Sequence, residues 1–459
     1  RFGAAEESRR IARTDTISDR PNVIMIVCDA LRCDSLGTYG CTGVQTPVLD
    51  ELARGGIRFD RAYANASWTK PGFANIFSGM HPSGHKTYLK PDILPDSIRT
   101  LAERMRDAGY YTVGYANNIN VSGGFNFGQG FDEYHYLAPD YFFHASETSS
   151  LLSYYSILRL IRERFLVKTK YPQNYYQEAA VVNREVFDFI DHRSVGSSFF
   201  LMIHYMEPHD PYFQHPFNGV GYARVDMTDP PPEMADLLRK TYYSEIDYLD
   251  ARIGELFDHL KQNNRWDNTI VLLTADHGEE FYEHGGWWHG TTLYQEQIHI
   301  PMIWKLTPEM PGSSVRTDLV QQIDIAPTIL GLCGLLDHNQ DLRGRPLFRS
   351  DPPPESIAVL SEQDHEGNVI NSIIDDNVKF IEANPGNPRG LPTHELFRLD
   401  RDPGERQNLV REEPQHVDPL IERIGKLKTD AASLGHERES REVSQEDLDR
   451  MKSLGYVEN

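Results

Sequence analysis

From residue 21 the chain alternates short β-branched apolar runs with longer stretches of helical periodicity. That alternation predicts an α/β fold, a mostly parallel sheet sandwiched by helices. Residues 23–27 are continuously apolar, as a strand buried on both faces requires. Further strands are predicted at 112–116, 199–205, 269–273 and 300–304. Residues 46–56 place Thr46 as an N-cap, Pro47 at the first helical position and Gly at the end, so a helix is expected there. Helical patterns also cover 97–108, 175–191, 235–262 and 319–334. Residues 136–175 are rich in Tyr, Ser and His with weak periodicity and read as an insertion bordering a cleft.

After residue 349 the pattern changes. A Pro-rich linker at 350–356 leads into runs of antiparallel-strand character near 356–400, followed by a charged helix at 414–428. The expected organisation is a polar tail over 1–20, a main α/β domain over 21–349, and a smaller C-terminal α+β subdomain with an antiparallel sheet and tail over 350–459.

Composition narrows the functional classes. The formal charge of −22 disfavours a nucleic-acid module. An anionic small substrate remains compatible if a metal ion or local cations reverse the potential at the site. No run approaches the roughly 20 apolar residues of a membrane span. The chain begins at Arg1, and localisation and oligomeric state stay open, a removed N-terminal signal or anchor included. Cys28, Cys33, Cys41 and Cys333 match neither a zinc template nor a disulfide framework and are expected to be mostly buried thiols.

Three predicted strands end in metal-capable groups. Asp29 follows the first, His209 lies shortly after 199–205, and Asp276-His277 follows 269–273. In an open parallel sheet the ligand site lies beyond the carboxyl ends of the strands, so Asp29, Asp276, His277 and His209 are expected to converge. Two carboxylates with an imidazole suit zinc or manganese, whereas oxygen donors alone would have favoured calcium or magnesium. Thr69, two residues before Pro71, falls at a helix N-terminus, where backbone N–H groups favour an anion. Its hydroxyl is a candidate nucleophile beside a dication, or simply a helix cap. His289 in Trp288-His289-Gly290 is a further candidate imidazole, with packing as the alternative.

The stretches PNVIMIVCDALRCDSLGTYG, TPVLDELARGGIRFDRAYANASWTKPGFANIFSGMHPSGH, NTIVLLTADHGEEFYEHGG and HELFRLDRDPGERQNL resemble the sulfatase family of the alkaline phosphatase superfamily. The resemblance runs in the family's motif order from residue 21 to LGYV at 454–457. It implies that 21–349 is a catalytic domain that attacks a tetrahedral phospho- or sulfo-ester. Several positions depart from the sulfatase pattern. Thr69-Lys70-Pro71-Gly72-Phe73 stands where sulfatases carry an oxidisable Cys or Ser and an Arg, so no formylglycine is expected. Asp29 is followed by Ala30 where the family usually repeats Asp, Asp276 by His277 in place of Asn, and His289 takes the place of a Lys.

These departures are similar to Thr-nucleophile phosphodiesterases and phosphoethanolamine transferases, whose ion is zinc or manganese. The resemblance implies one divalent ion held by Asp29, Thr69, Asp276 and His277, with a second ion left open. It implies catalytic roles for Thr69, His209 and His289, and substrate contacts from Lys70, Asn117, His209 and His289. His85 is expected to be structural, and Glu283-His284-Gly285 to shape its loop. The expected function is a metal-dependent hydrolase of a small anionic ester, a phosphodiester or phosphonate ester favoured, working through a Thr69 covalent intermediate. The alternatives are a sulfuric ester hydrolase, a transferase of phospho-alcohol groups to a glycan or lipid, and an inactive binding module.

Overall fold

The computed structural model describes residues 20–139, 171–193, 197–310, 312–337, 341–348, 357–445, 447–448 and 451. The expected tail up to residue 19, residues 140–170 of the insertion, the 350–356 linker and the 454–457 motif lie outside the described residues.

The main sheet contains β1 (Asn22–Cys28), β2 (Ile57–Tyr63), β3 (Tyr111–Ala116), β4 (Glu133–Tyr136), β5 (Phe199–Tyr205), β6 (Thr269–Ala275), β7 (Met302–Lys305) and β8 (Ser314–Gln321). Their order is β8-β2-β7-β6-β1-β5-β3-β4. Only β7 runs antiparallel to its neighbours, so the sheet is mostly parallel, as the sequence predicts. β1, β5 and β6 are buried at every residue, which explains their unbroken apolar character.

Several elements differ from the sequence expectation, among them the strands β4 (Glu133–Tyr136) and β8 (Ser314–Gln321), which it did not contain. β2 was not predicted, although Ile57 and Phe59 point inward while Arg58 and Asp60 stay partly exposed, a period-2 alternation. The helix expected over 319–334 begins later, because Leu319–Gln321 complete β8 alongside β2.

Among the described residues, the longer helices beside the sheet are α1 (Pro47–Gly55), α2 (Thr69–Ser78), α3 (Leu101–Asp107), α4 (Ala179–Asp188), α5 (Ala235–Gln262) and α6 (Ile325–Leu332). α1 and α4 each contact α5, whereas α2, α3 and α6 contact one another, giving two helix layers. Thr46 does not cap α1. Its hydroxyl instead accepts from Gly37 N, and the Asp250 carboxylate of α5 accepts from Val48 N and Leu49 N. A carboxylate from a neighbouring helix thus satisfies the orphan donors that a local cap would take.

The C-terminal part is an antiparallel sheet of β9 (Ala358–His365), β10 (Asn368–Asp375), β11 (Val378–Ala383) and β12 (His394–Arg398). One face packs Leu360, Ile373, Phe380 and Leu396 against Leu420 and Ile424 of α7 (Val417–Ala432). The other contributes Val359, Ile370, Ile374, Ile381 and Phe397 to the main core. All four cysteines are free; Cys28, Cys33 and Cys333 are buried and Cys41 is partly exposed. Among the described residues no helix is long and apolar enough to cross a membrane.

Candidate metal centre and catalytic site

The register of the central strands creates the site. Cys28 at the end of β1 lies opposite Tyr205 of β5 and Ala275 of β6, so Asp29 and Asp276-His277 leave the sheet side by side. Ligand atoms of Asp29, Asp276 and His277 lie within 4.8 Å of one another, and all three residues are buried. Asp276 Oδ1 accepts from Ala30 N at 3.1 Å and His277 N at 2.9 Å. Its Oδ2 has no hydrogen-bond partner and faces His277 Nε2 at 3.5 Å. Ala30 holds a left-handed conformation (φ 59°), unusual without glycine, and this turn aims its N–H at Asp276.

Asp29 is oriented in the same way. Its Oδ2 accepts from Asn118 Nδ2 and from His204 Nε2, both at 3.1 Å. Its Oδ1 has no hydrogen-bond partner and lies 3.4 Å from His277 Nε2. His277 Nδ1 donates to Gly278 O at 2.8 Å, which leaves Nε2 facing the two carboxylates, as a metal-ligating imidazole would need. Burial opposes ionisation of Asp29, yet the neighbouring His209, His204 and His277 outweigh it and hold the carboxyl well below its ordinary value. Burial and the Asp29 charge push Asp276 up to about 7. His277 rises to about 9, because Asp276 and Asp29 overcome the desolvation of its ring. Two orphaned carboxylate oxygens and one oriented imidazole nitrogen fit a divalent cation.

Thr69 opens α2, is fully buried, and places Oγ1 3.3 Å from His277 Nε2. Gly72 permits this approach: a Cβ there would lie 2.8 Å from Asp276 O and 3.2 Å from Asp276 Cβ. Gln322 Nε2 donates to Asp276 O at 2.6 Å, while its Oε1 accepts from Asn65 N and Asn75 Nδ2. His85 contacts Asn75 Oδ1 at 2.9 Å and so buttresses α2 from behind.

His209 and His289 complete a group of imidazoles around His277. The His289 ring centroid is 4.3 Å from that of His277 and 4.8 Å from that of His209. His209 Nδ1 donates to Asp210 O, and its Nε2 is 3.9 Å from Asp29 Oδ1. His289 Nδ1 contacts Glu279 Oε1 at 3.0 Å, and Glu279 Oε2 accepts from the Tyr212 hydroxyl at 2.8 Å. Burial lowers His209 to about 4 and His289 well below its usual value, the latter with help from His277 and Arg224. Burial pushes Glu279 up to about 7.

Two candidate substrate contacts lie elsewhere. Lys70 Nζ donates to the carbonyls of Lys90 and Asp92, the latter at 3.0 Å, and sits 3.5 Å above the Phe125 ring. Asn117 brackets the backbone of Gln177 with both ends of its amide, at 2.6 and 3.0 Å. The adjacent Asn118 is the residue that reaches the metal centre, through Asp29. His204 was also missed as a site residue; its signal was an imidazole inside β5, five positions before His209. Phe73, at the signature's Arg position, is buried with its ring centroid 4.6 Å from that of His204. Glu283 pairs with Arg32 and Arg239 and His284 with Glu296, loop-shaping contacts as expected.

Comparison with known proteins identifies the family. The sulfatase family profile matches residues 21–335. An arylsulfatase of Clostridium perfringens is 24% identical, over 86% of this chain and 91% of its own length. A choline-sulfatase of Rhizobium meliloti is also 24% identical, over 69% and 68%. In fold, the chain resembles a phosphonate monoester hydrolase of Agrobacterium radiobacter, with a TM-score of 0.68 at 18% identity, covering 93% of this chain and 99% of that one. It also resembles BT4656, solved in complex with its substrate D-glucosamine-2-N,6-O-disulfate, with a TM-score of 0.69 at 18% identity over 90% and 99%. The protein therefore belongs to the sulfatase family, whose members are metal-dependent ester hydrolases.

Proposed function

We propose that this chain hydrolyses a phosphodiester or phosphonate ester in preference to a sulfate ester, through a covalent intermediate on Thr69. The observation that carries this reading is the Thr69 hydroxyl at the edge of the Asp29–Asp276–His277 cluster, 3.3 Å from His277 Nε2. A threonine at this position has no route to formylglycine. Phe73 also replaces the Arg of the sulfatase signature with an apolar ring packed on His204.

Asp29, Asp276, His277 and Thr69 would hold one divalent ion, with zinc or manganese suited to the imidazole in the donor set. When bound, that ion supplies positive charge that acidifies the Thr69 hydroxyl and offsets charge on the ester oxygens. Thr69 Oγ1 passes its proton to a flanking imidazole and bonds to phosphorus while the bond to the leaving oxygen breaks. His289, oriented by Glu279, and His209, oriented by Asp210 O, flank the cluster and can hydrogen-bond ester oxygens or hand the leaving oxygen a proton. Water then attacks the phosphothreonine, and the phosphorus–Thr69 bond breaks.

The test is a panel of aryl phosphonate, phosphodiester, phosphomonoester and sulfate, each run with zinc, manganese, magnesium and calcium. Rapid acid quench with a slow substrate and intact-mass measurement accompany it. A phosphoryl-type adduct on the peptide holding Trp68–Pro71, absent from Thr69→Ala, is expected. A sulfate ester turning over fastest would support the second reading, sulfuric ester hydrolysis, which the names of the sequence relatives favour.

A further inference from the structure

The C-terminal sheet reaches the rim of the Thr69 site through β9. Gln363 staples this strand to both flanks: its Oε1 accepts from Ser67 Oγ at 3.0 Å, and its Nε2 donates to Gly290 O at 2.8 Å. Ser67 lies two residues before Thr69, and Gly290 follows His289. Two residues further along β9, His365 lies against Trp68 with ring centroids 4.5 Å apart. Gly290 leaves room for it, since a Cβ there would lie 3.2 Å from His365 Nδ1 and 3.4 Å from Trp68 Cβ. His365 is 3% exposed, yet neither ring nitrogen has a hydrogen-bond partner. A buried imidazole with both nitrogens unsatisfied is costly unless something outside the chain meets it.

Arg224 approaches from another direction. Its backbone N–H donates to Asp210 Oδ1 at 2.7 Å, next to His209, and its charge is felt by His289, Glu279 and His365. The side chain is mostly buried, and Nε has no hydrogen-bond partner. Its guanidinium lies 3.5 Å from the Glu366 carboxylate, which Lys90 also holds at 2.8 Å and which lies 3.9 Å from His365 Nε2. Two cations thus share the Glu366 carboxylate, in a chain whose overall charge is −22.

We propose that Arg224 and His365 form a leaving-group subsite that recognises a second anionic oxygen group, a carboxylate or an oxyanion, on the substrate whose ester Thr69 attacks. The proposal rests on the ester-hydrolase reading of the Thr69 site and adds the substrate class. Arg224 supplies charge and a directional N–H, and His365 supplies one ring N–H and one ring acceptor. A substrate without the second group leaves both residues unsatisfied, and this is how such a site discriminates.

The test is calorimetric binding of phenylphosphonate and of its 3- and 4-carboxy and 4-sulfo derivatives to zinc-loaded protein. Wild type should bind a derivatised probe about tenfold more tightly than phenylphosphonate, the scale of one charge-assisted hydrogen bond. Arg224→Met should abolish most of that ratio, and His365→Phe, which preserves contact with Trp68, should reduce it several-fold. Arg224→Lys keeps the charge and should retain part of the ratio, which guards against a folding defect in Arg224→Met. No preference in wild type, or an unchanged ratio in both Arg224→Met and His365→Phe, overturns the subsite. Turnover of a neutral 4-nitrophenyl ester by wild type and the Thr69 adduct report separately on the ester-hydrolase reading. A correct ratio without turnover would therefore sink that reading alone, and turnover without a ratio would sink the subsite alone.

Discussion

His204 offers a sharp test of how the metal centre is built, because it supports Asp29 without entering the proposed ligand set. Its Nδ1 accepts from Asn117 N at 3.4 Å, which fixes the proton on Nε2 for donation to Asp29 Oδ2 at 3.1 Å. His204→Phe keeps a ring of similar volume against Phe73, so a cavity contributes little. Asp29 is left with Asn118 as its hydrogen-bond donor on Oδ2. Losing a hydrogen bond to a buried carboxylate is worth about 1.5–3 kcal/mol, and removing an outer partner of a ligand typically costs about 10–100-fold in metal affinity. The two scales agree, since tenfold is about 1.4 kcal/mol. The orphaned Asn117 N–H adds about 1–3 kcal/mol of lost stability that does not act on the metal. Competition against a chelator should therefore show about 10–100-fold weaker zinc binding, while turnover at saturating zinc recovers to within several-fold of wild type. His204→Gln, whose amide can still reach Oδ2, should fall between. Zinc affinity within twofold of wild type in a folded His204→Phe protein would refute the idea that this imidazole organises Asp29.

Three other outcomes follow from the same structure. Asp276→Ala and His277→Ala should each lose most bound metal, measured by elemental analysis, and most turnover, with secondary structure by circular dichroism retained. Thr69→Ser should keep measurable activity and Thr69→Ala should not, in a steady-state assay on whichever ester the panel selects. Asp324 accepts from Arg345 N and Gln321 N at the start of α6, and burial pushes it up to about 6 despite those bonds. Its folded state thus holds a proton that the unfolded chain, titrating near 3.9, has already lost. Its contribution to stability is full below about pH 4 and lost as pH rises to about 6, a loss of about 2–3 kcal/mol. The wild-type minus Asp324→Asn stability difference, from denaturant melts, should decline over that window and then flatten; a difference that rises with pH would show the sign to be wrong.

The parts of this protein that could be read in advance are those where one physical requirement dominates the sequence. Strands buried on both faces must be apolar throughout, so β1, β5 and β6 were legible, and parallel pairing then put Asp29 and Asp276-His277 at one edge. Partly exposed strands carry a weaker signal: the Arg58–Asp60–Arg61 pattern masked β2, and Leu319 and Val320 fit a helix as readily as the end of β8. Side-chain direction was the harder problem. Lys70 follows Thr69 in sequence, but on a helix adjacent residues point about 100° apart, and its ammonium ends at Lys90 O and Asp92 O. Asn117 and Asn118 differ by one position at the exit of β3, and only the fold decides which of them turns toward Asp29. The approach of Arg224 and His365 to the same Glu366 carboxylate, from segments 141 residues apart, leaves no trace in local pattern at all.

Charge ties these features together. A chain with 22 excess negative charges presents an unfavourable mean field to an anionic ester. Exposed charges are screened over about 8 Å at physiological ionic strength, so the field inside a closed site is set by its own walls. At this site the walls hold two buried carboxylates, Asp29 and Asp276, and by themselves they would repel the substrate further. The chain tolerates them at a cost: one is pushed up to about 7, while the other is kept ionised by imidazoles. Such an arrangement persists where a cation offsets it. A divalent ion cancels the pair, and the flanking imidazoles add hydrogen-bonding capacity without fixed negative charge. In the proposed subsite Arg224 and Lys90, which share the Glu366 carboxylate, would place cationic groups beside the leaving group. On this account the centre itself selects for the reacting ester, whereas the rim selects among its esters, so substitutions in the two places should separate: the first through metal content and kcat, the second through the ratio of kcat/KM between charged and neutral leaving groups.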